Sequence, residues 1–214
     1  MTKTVYTALI GYYEELKEPT IVSKDWLHIC FTDQPLKSKV WAIKRIEPKQ
    51  SDNRTAREIK LLFHNYVKTK YSMWVDASFQ INCDLNAWWN TRFQSPFTVI
   101  KHPMRSCVYQ EALYCRQAGR GNLDQINKQI ADFYKRRIPR NSHLIQSGIL
   151  MRERTKAVIN FCEQWHKELS KGSTRDQIAF VPVAHANPDV HRLTYWNYRN
   201  SNEFIYTKHY QFRR

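Results

Sequence analysis

The chain has 214 residues, 42% hydrophobic and 14% aromatic, enough to bury a full core as one domain and too apolar for a disordered tail. Against 19 acidic residues stand 34 Lys and Arg, a formal charge of +15, and such a field attracts polyanions and speeds their encounter. Glycine is scarce, at five residues, and neither G-x-G-x-x-G nor G-x-x-x-x-G-K-[ST] occurs, which excludes the Gly-rich phosphate loops.

Val5 to Tyr13 reads as a first strand, Leu27 to Phe31 as a second ending in Thr32-Asp33, and Val40 to Ile43 as a third closed by Pro48. Three short strands, each ending near a polar residue, fit the first half of a nucleotide-binding sheet. Asp33 reads either as a contact to a nucleotide base or ribose, or as a turn residue. Asp52 to Tyr66 reads as a helix, with Ile59, Leu62, Phe63 and Tyr66 on one face by their helical spacing. Arg54, Arg57 and Lys60 recur every three residues on another face, either as a solvated basic face or as a phosphate clamp.

The run Tyr71-Ser-Met-Trp-Val-Asp76 is apolar, β-prone and too short for a helix, the signature of a buried parallel strand. Ligands of open α/β sheets sit beyond the carboxyl ends of such strands. Asp76 is therefore either a ligand-side acid or the cap of the next turn. Asn82 to Asn86 reads as a turn, Phe97 to Ile100 as a strand, and Arg105 to Gln117 and Leu123 to Arg136 as helices. Leu144 to Met151 is strand-like with Gly148 in its interior, where a glycine often marks the close approach of a ligand or another backbone. Val158, Phe161, Cys162, Trp165 and Leu169 form a helical core stripe, and Thr174 stands where it can cap a short helix beginning at Arg175-Asp-Gln177. From Val190 the composition shifts. Arg192, Arg199, Lys208, Arg213 and Arg214 interleave with aromatics that include Trp196 and Tyr198. That mixture reads as a nucleic-acid surface or as an aromatic segment packed on the sheet edge.

The cysteines Cys30, Cys83, Cys107, Cys115 and Cys162 are odd in number and form no C-x-x-C pair, which suits reduced, buried thiols in a cytosolic protein. Met1 to Ile10 has no signal-peptide core, and no run approaches a membrane span. A cytoplasmic location follows as an expectation, inside a host cell if the chain is viral.

Asp76-Ala-Ser78 at a strand end, Gln146-Ser-Gly148 opening a later strand and Arg175-Asp-Gln177 starting a helix stand in an order that resembles GT-A glycosyltransferases. More narrowly, Arg57-Glu-Ile-Lys60, Tyr71 to Asp76, His102-Pro-Met-Arg105, Tyr109-Gln-Glu-Ala112, Gly148 to Arg152 and Ser173 to Gln177 resemble the glycosyltransferase-like family of the TOD1/MUCI70 type. The resemblance runs from about Val5 to about Phe180. It implies an α/β fold, one GT-A-like (Rossmann-like) mixed, mostly parallel sheet flanked by helices. Residues 1–189 would form that domain, and 190–214 a basic aromatic segment packed on it or extending it.

The resemblance also implies transfer of a sugar from a nucleoside diphosphate, a UDP-sugar foremost, to a hydroxyl. The donor would meet Asp33, Arg57, Lys60, Asp76, Ser78, Gly148 and Arg152. Asp176, with Glu111 second, would be the base for the acceptor hydroxyl. A divalent cation, Mn2+ or Mg2+, would sit on Asp76, with Asp84, His185 or His191 completing a shell in which Ser78 replaces the usual second acid. The charge and the tail (Arg192, Trp196, Tyr198, Arg199, Lys208, Arg213, Arg214) point to DNA as the partner, and a hydroxymethylated pyrimidine as the acceptor, as in a DNA-modifying phage. The alternatives are an envelope polysaccharide or lipid-linked glycan acceptor, and a non-catalytic nucleic-acid-binding module on a decayed transferase fold.

Overall fold

The computed structural model describes residues 1–12, 14–48, 50–141 and 143–207. Nine strands and seven helices alternate through these residues. The strands are β1 (Lys3–Leu9), β2 (Trp26–Thr32), β3 (Ala42–Arg45), β4 (Tyr71–Val75), β5 (Phe79–Ile81), β6 (Phe97–Lys101), β7 (Ile145–Glu153), β8 (Arg192–Thr194) and β9 (Phe204–Tyr206). The helices are α1 (Asp52–Leu61), α2 (Phe63–Tyr66), α3 (Leu85–Arg92), α4 (Val108–Gln117), α5 (Leu123–Lys135), α6 (Lys156–Lys171) and α7 (Asp176–Ala186).

Seven strands form one sheet in the order β3-β2-β1-β4-β7-β6-β8, and β5 pairs with β9 in a small second sheet. Within the large sheet only β7 runs against its neighbours, β4 and β6; the other pairs are parallel. This is the mixed, mostly parallel α/β architecture expected from the sequence. The central strands are buried on both faces, which explains their nearly continuous apolar runs. Tyr6, Trp74, Leu150 and Phe97 pack on one face with Phe161 and Trp165 of α6 and Phe180 of α7. Val5, Met73, Val75, Ile149 and Met151 pack on the other with Trp88 and Trp89 of α3. A third cluster ties α4 and α5 to α7 through Val108, Ile126, Phe133 and Ile178.

Several expectations need correction. The helix expected over Asp52 to Tyr66 breaks at Leu62 (φ −86°, ψ 45°). Asn82 to Asn86 is no plain turn. It leads into α3, whose N-terminus Asp84 caps by accepting from the Ala87 amide at 2.8 Å. The residue ahead of α7 is Arg175, and no side chain caps that helix, so Thr174 does not fill the role. The segment after Val190 is structural where it is described: β8 adds to the main sheet beside β6, and Trp196 and Phe204 enter the core against Trp88 and Phe79. Lys208, Arg213 and Arg214 lie outside the described residues. All five cysteines are free thiols. Among the described residues, no helix is long and apolar enough to cross a membrane.

Candidate active site

The apolar run of β4 stops at Asp76, whose amide donates to the Gly148 carbonyl at 2.8 Å and so carries the ladder with β7 one residue further. Trp74, two residues back, donates its indole N–H to Asp76 Oδ1 at 2.6 Å. The last turn of α1 delivers Lys60, whose Nζ lies 3.1 Å from Asp76 Oδ1 and 2.7 Å from Asp176 Oδ2. Arg57, three residues earlier and hence on the same helix face, brings Nε to 3.5 Å from the same Asp176 oxygen. The Tyr6 hydroxyl donates to the Lys60 carbonyl at 3.2 Å, pinning this turn of α1 to the centre of the sheet.

Asp176 sits in the first turn of α7, where the helix dipole favours an anion. Burial opposes its ionisation. The charges of Arg57 and Lys60 outweigh that opposition and hold the carboxyl below the usual aspartate range. A buried carboxylate already paired with two cations is a weak proton acceptor, so this geometry suits an electrostatic anchor better than a general base.

Glu111, on α4, is equally occupied. Its Oε2 lies 2.6 Å from Arg105 Nε and 3.8 Å from His102 Nε2, and its Oε1 lies 3.4 Å from Arg175 Nη2. His102 accepts the Met104 and Arg105 amides on Nδ1 at 3.2 and 3.0 Å. Burial pushes the His102 imidazole below its ordinary pKa; Glu111 opposes this, and the guanidinium groups of Arg105, Arg175 and Arg199 reinforce it. Tyr114 offers its ring to Arg105, 4.1 Å from the centroid, and to Arg120 at 5.2 Å.

Between these two ion-pair clusters lies a cleft of about 560 Å³, bounded by Arg57, Asp76, Ser78, Phe79, Gly148, Asp176 and Gln177 on one side. His102, Arg105, Glu111, Tyr114, Arg120, Arg175, Tyr198, Arg199 and Tyr206 complete the lining with Gln146 and Ser147. Of the residues expected in a site, the structure gathers Arg57, Asp76, Ser78, Glu111, Gly148, Asp176, Tyr198 and Arg199 here, with Lys60 buried directly beneath. Sequence reasoning gave no role to His102, Arg105, Tyr114, Arg120 or Arg175, and Tyr206 entered it only as one of the interleaved aromatics after Val190. His102, Arg105 and Arg175 stand inside the motif segments, which was the available signal.

Other candidates are placed elsewhere. Arg152 is 0% exposed and pairs in register with Ser72 at the start of β4, whereas Asp76 follows its end. Its guanidinium donates to the Tyr6 hydroxyl at 2.7 Å and stacks over Phe63 and Phe97. It is a core residue, out of reach of a donor in the cleft. Asp33 accepts the Gly11 amide on both oxygens, at 3.1 and 3.3 Å, and so closes the loop after β1. Trp196 is 3% exposed, its indole N–H donating to Ser201 and Glu203, and offers no face to a stacked base. Arg192 is exposed on β8, away from the cleft lining, and donates to the His191 carbonyl.

The residues around Asp76 do not fit a divalent cation. Magnesium and manganese at a diphosphate are held by one or two free carboxylates together with substrate phosphates and water. Here Asp76 Oδ1 already receives Trp74 and Lys60, and Ser78 stands where a second acid would be. Asp84 is spent capping α3. His191 hydrogen-bonds His143 at 3.0 Å and packs against Phe161 and Phe180, while His185 is exposed in the last turn of α7. Among the described residues, no group of three His, Cys, Asp or Glu side chains is placed to hold a metal.

Two comparisons bear on this geometry. The chain is 24% identical over 212 residues to the Arabidopsis thaliana protein named "Probable hexosyltransferase MUCI70", an alignment covering 84% of this chain and 36% of that protein, so the chain spans about a third of its relative's length. Residues 31–193, which carry most of the sheet and all of the cleft lining except Tyr198, Arg199 and Tyr206, match the family model of the TOD1/MUCI70 glycosyltransferase-like domain. The chain belongs to the TOD1/MUCI70 glycosyltransferase-like family.

Proposed function

We propose that the cleft beyond β4 transfers a hexosyl group from a nucleoside diphosphate, a UDP-sugar foremost, to a hydroxyl of a glycan acceptor. The observation that carries this reading is the Asp76–Lys60–Asp176–Arg57 cluster at the carboxyl end of a central strand, the end at which open α/β sheets bind their ligands. The name of the Arabidopsis relative supports a hexose as the group moved. When the bond from the sugar to the diphosphate breaks, negative charge grows on the leaving oxygens. Preorganised cations aimed at that charge are worth most in a site shielded from water. Arg57 and Arg175 line the cleft where such charge would develop. Asp176 and Glu111 act through the cations they hold in place, and Gly148, lacking a Cβ, lets the Phe79 ring pack closely beside Asp76. Tyr198 and Tyr206, packed beside Phe79, give the cleft lining aromatic rings against which an acceptor sugar can pack.

A hydroxymethylated pyrimidine in DNA is the second reading, favoured by the +15 charge and by Arg105, Arg120 and Arg199 on the cleft wall. Both are tested by incubating the chain with a panel of nucleotide sugars plus neutral oligosaccharides, acidic oligosaccharides or hydroxymethylated DNA, followed by mass spectrometry. A hexose added to an oligosaccharide supports the first reading, and a hexose on DNA the second. No transfer and no donor hydrolysis with any pair would defeat both, leaving a binding module on a transferase fold.

A further inference from the structure

A transferase of this fold class is expected to hold a divalent cation between its strand-end acid and the donor diphosphate, and the donor set at Asp76 does not fit one. The same residues supply the missing charge in another form. Lys60 is 0% exposed and lies between two carboxylates, 3.1 Å from Asp76 and 2.7 Å from Asp176. Arg57 approaches Asp176 from the cleft side, with 23% of its side chain exposed. Two unit cations on two carboxylates carry the same net charge as one divalent ion on two carboxylates. The difference lies in exchange. A metal keeps open positions for water and phosphate, whereas an ammonium locked between two acids cannot leave and needs no loading.

We infer that Lys60, with Arg57, is a built-in replacement for the divalent cation, so that the donor diphosphate binds without metal and meets its positive charge at the exposed edge of this cluster. The surroundings are consistent with a permanent charge at Nζ. The Trp74 ring lies 5.5 Å from Nζ, and the Trp74 N–H holds Asp76 Oδ1 in the orientation Lys60 requires. The hydroxyl of Tyr6 fixes the backbone of Lys60 itself. Ser78, buried beside Asp76 in place of a second acid, fits the same account, because a further carboxylate would leave this cluster with excess negative charge.

This inference rests on the donor reading above, and the following test separates the two. Binding of UDP, GDP, ADP, CDP and dTDP to the whole chain is measured by calorimetry, once in chelator and once in millimolar Mn2+ or Mg2+. The expected result is at least one diphosphate whose Kd agrees within about twofold across the three conditions, because the required charge is already in place. Tightening of the wild-type chain by about tenfold or more on adding metal would overturn the inference while leaving the donor reading standing. If no diphosphate binds in any condition, the donor reading fails and this inference with it. A second arm uses Lys60→Met, which removes the charge and exposes the carboxylate pair to an outside cation. Mn2+ should raise the Tm of K60M and leave that of the wild type unchanged; the reverse pattern would refute the built-in cation. Should K60M fail to fold, the wild-type comparison in chelator and in metal decides alone.

Discussion

Replacing Gly148 by alanine adds one methyl group at the centre of the proposed site. Its effect can be worked out from the packing. The new Cβ would lie 2.7 Å from Cε2 of Phe79, 3.4 Å from the Gln146 amide nitrogen and 3.5 Å from Asp76 Oδ2. The last two are tolerable, so Asp76 is not displaced directly. The contact with Phe79 is not tolerable: carbon atoms rest about 3.5–4.0 Å apart, and the ring must retreat by about 1 Å. That ring is flanked by Trp196, Tyr198 and Tyr206, with centroids 6.1, 5.7 and 5.4 Å away. Overpacking of this kind costs about 1–3 kcal/mol, and each kcal/mol is worth roughly 2–4 °C in a domain of this size, so Tm should fall by about 2–12 °C. Because Tyr198 and Tyr206 are the neighbours that yield, the cleft narrows, and calorimetry should show weaker binding of the diphosphate that the wild type prefers. Gly119→Ala is the control. Its backbone is left-handed (φ +60°) and a Cβ there meets nothing within 4 Å, so it should cost about 1 kcal/mol of backbone strain and leave binding alone. A G148A protein that melts and binds like the wild type would refute the claim that Phe79 is wedged against Gly148.

Asp176→Asn removes one carboxylate from Lys60 and Arg57, and breaking a buried pair from one side costs about 3–5 kcal/mol. The folded-state pKa of Asp176 is depressed, so its contribution is present above the ordinary aspartate value of 3.8 and is lost as pH falls below that value towards the folded pKa. Urea unfolding should therefore show wild-type stability falling through this acid range and a shallower fall in D176N; superimposable slopes would exclude the ion cluster. Arg152→Met tests the reassignment of that residue to the core. Among the described residues no carboxylate pairs with Arg152, so an apolar side chain of similar reach should be neutral or stabilising, by up to about 4 kcal/mol, with diphosphate affinity unchanged. A tenfold loss of affinity in a folded R152M protein would return Arg152 to the donor site.

The central strands of the large sheet were legible because their signal is local: β1, β2, β4 and β7 are short segments of five to nine residues rich in apolar and β-prone side chains, whereas β8, only three residues long, was missed. The order of the strands was not legible. Nothing in Ile145 to Glu153 states that β7 inserts antiparallel between β4 and β6, since a strand buried on both faces reads the same in either direction. Helix α3 escaped notice because its buried residues, Leu85, Trp88 and Trp89, make too short a stripe for a helical period, although Asp84 stood in place as a cap. The aromatic tail was ambiguous for a related reason. Alternating rings and cations describe equally a stacking surface and a strand with one face inward. Pairing of β5 with β9 and of β8 with β6 decides between them by turning Trp196 and Phe204 into the core. Arg152 followed a glycine-containing motif in sequence and shares a strand face with Gly148 and Leu150, yet it stands four residues further along β7, beside Ser72 rather than Asp76. Alternation could not reveal this; the register of β7 against β4 does.

For the site itself, spacing identified parts and topology assembled them. Arg57 and Lys60 were legible as neighbours on one helix face, and Asp76 as an acid at a strand end. What no spacing could state is that Asp176, a hundred residues downstream of Asp76, closes the same cluster. That closure depends on the β7 insertion. Asp76 hydrogen-bonds the backbone of Gly148, and α7, resting on β7 where Gln177 donates to the Ile145 carbonyl, aims its first turn at the end of α1. Net charge misleads for the same reason. A total of +15 says that cations are in excess, not where they stand or what they face. Five arginines and three acids line the cleft among the described residues, and each of those acids is within ion-pair distance of a Lys or Arg. The excess positive charge available to an incoming phosphate is therefore local and small, and it is set by Arg57, Arg120, Arg175 and Arg199 on the wall rather than by the sum over the chain.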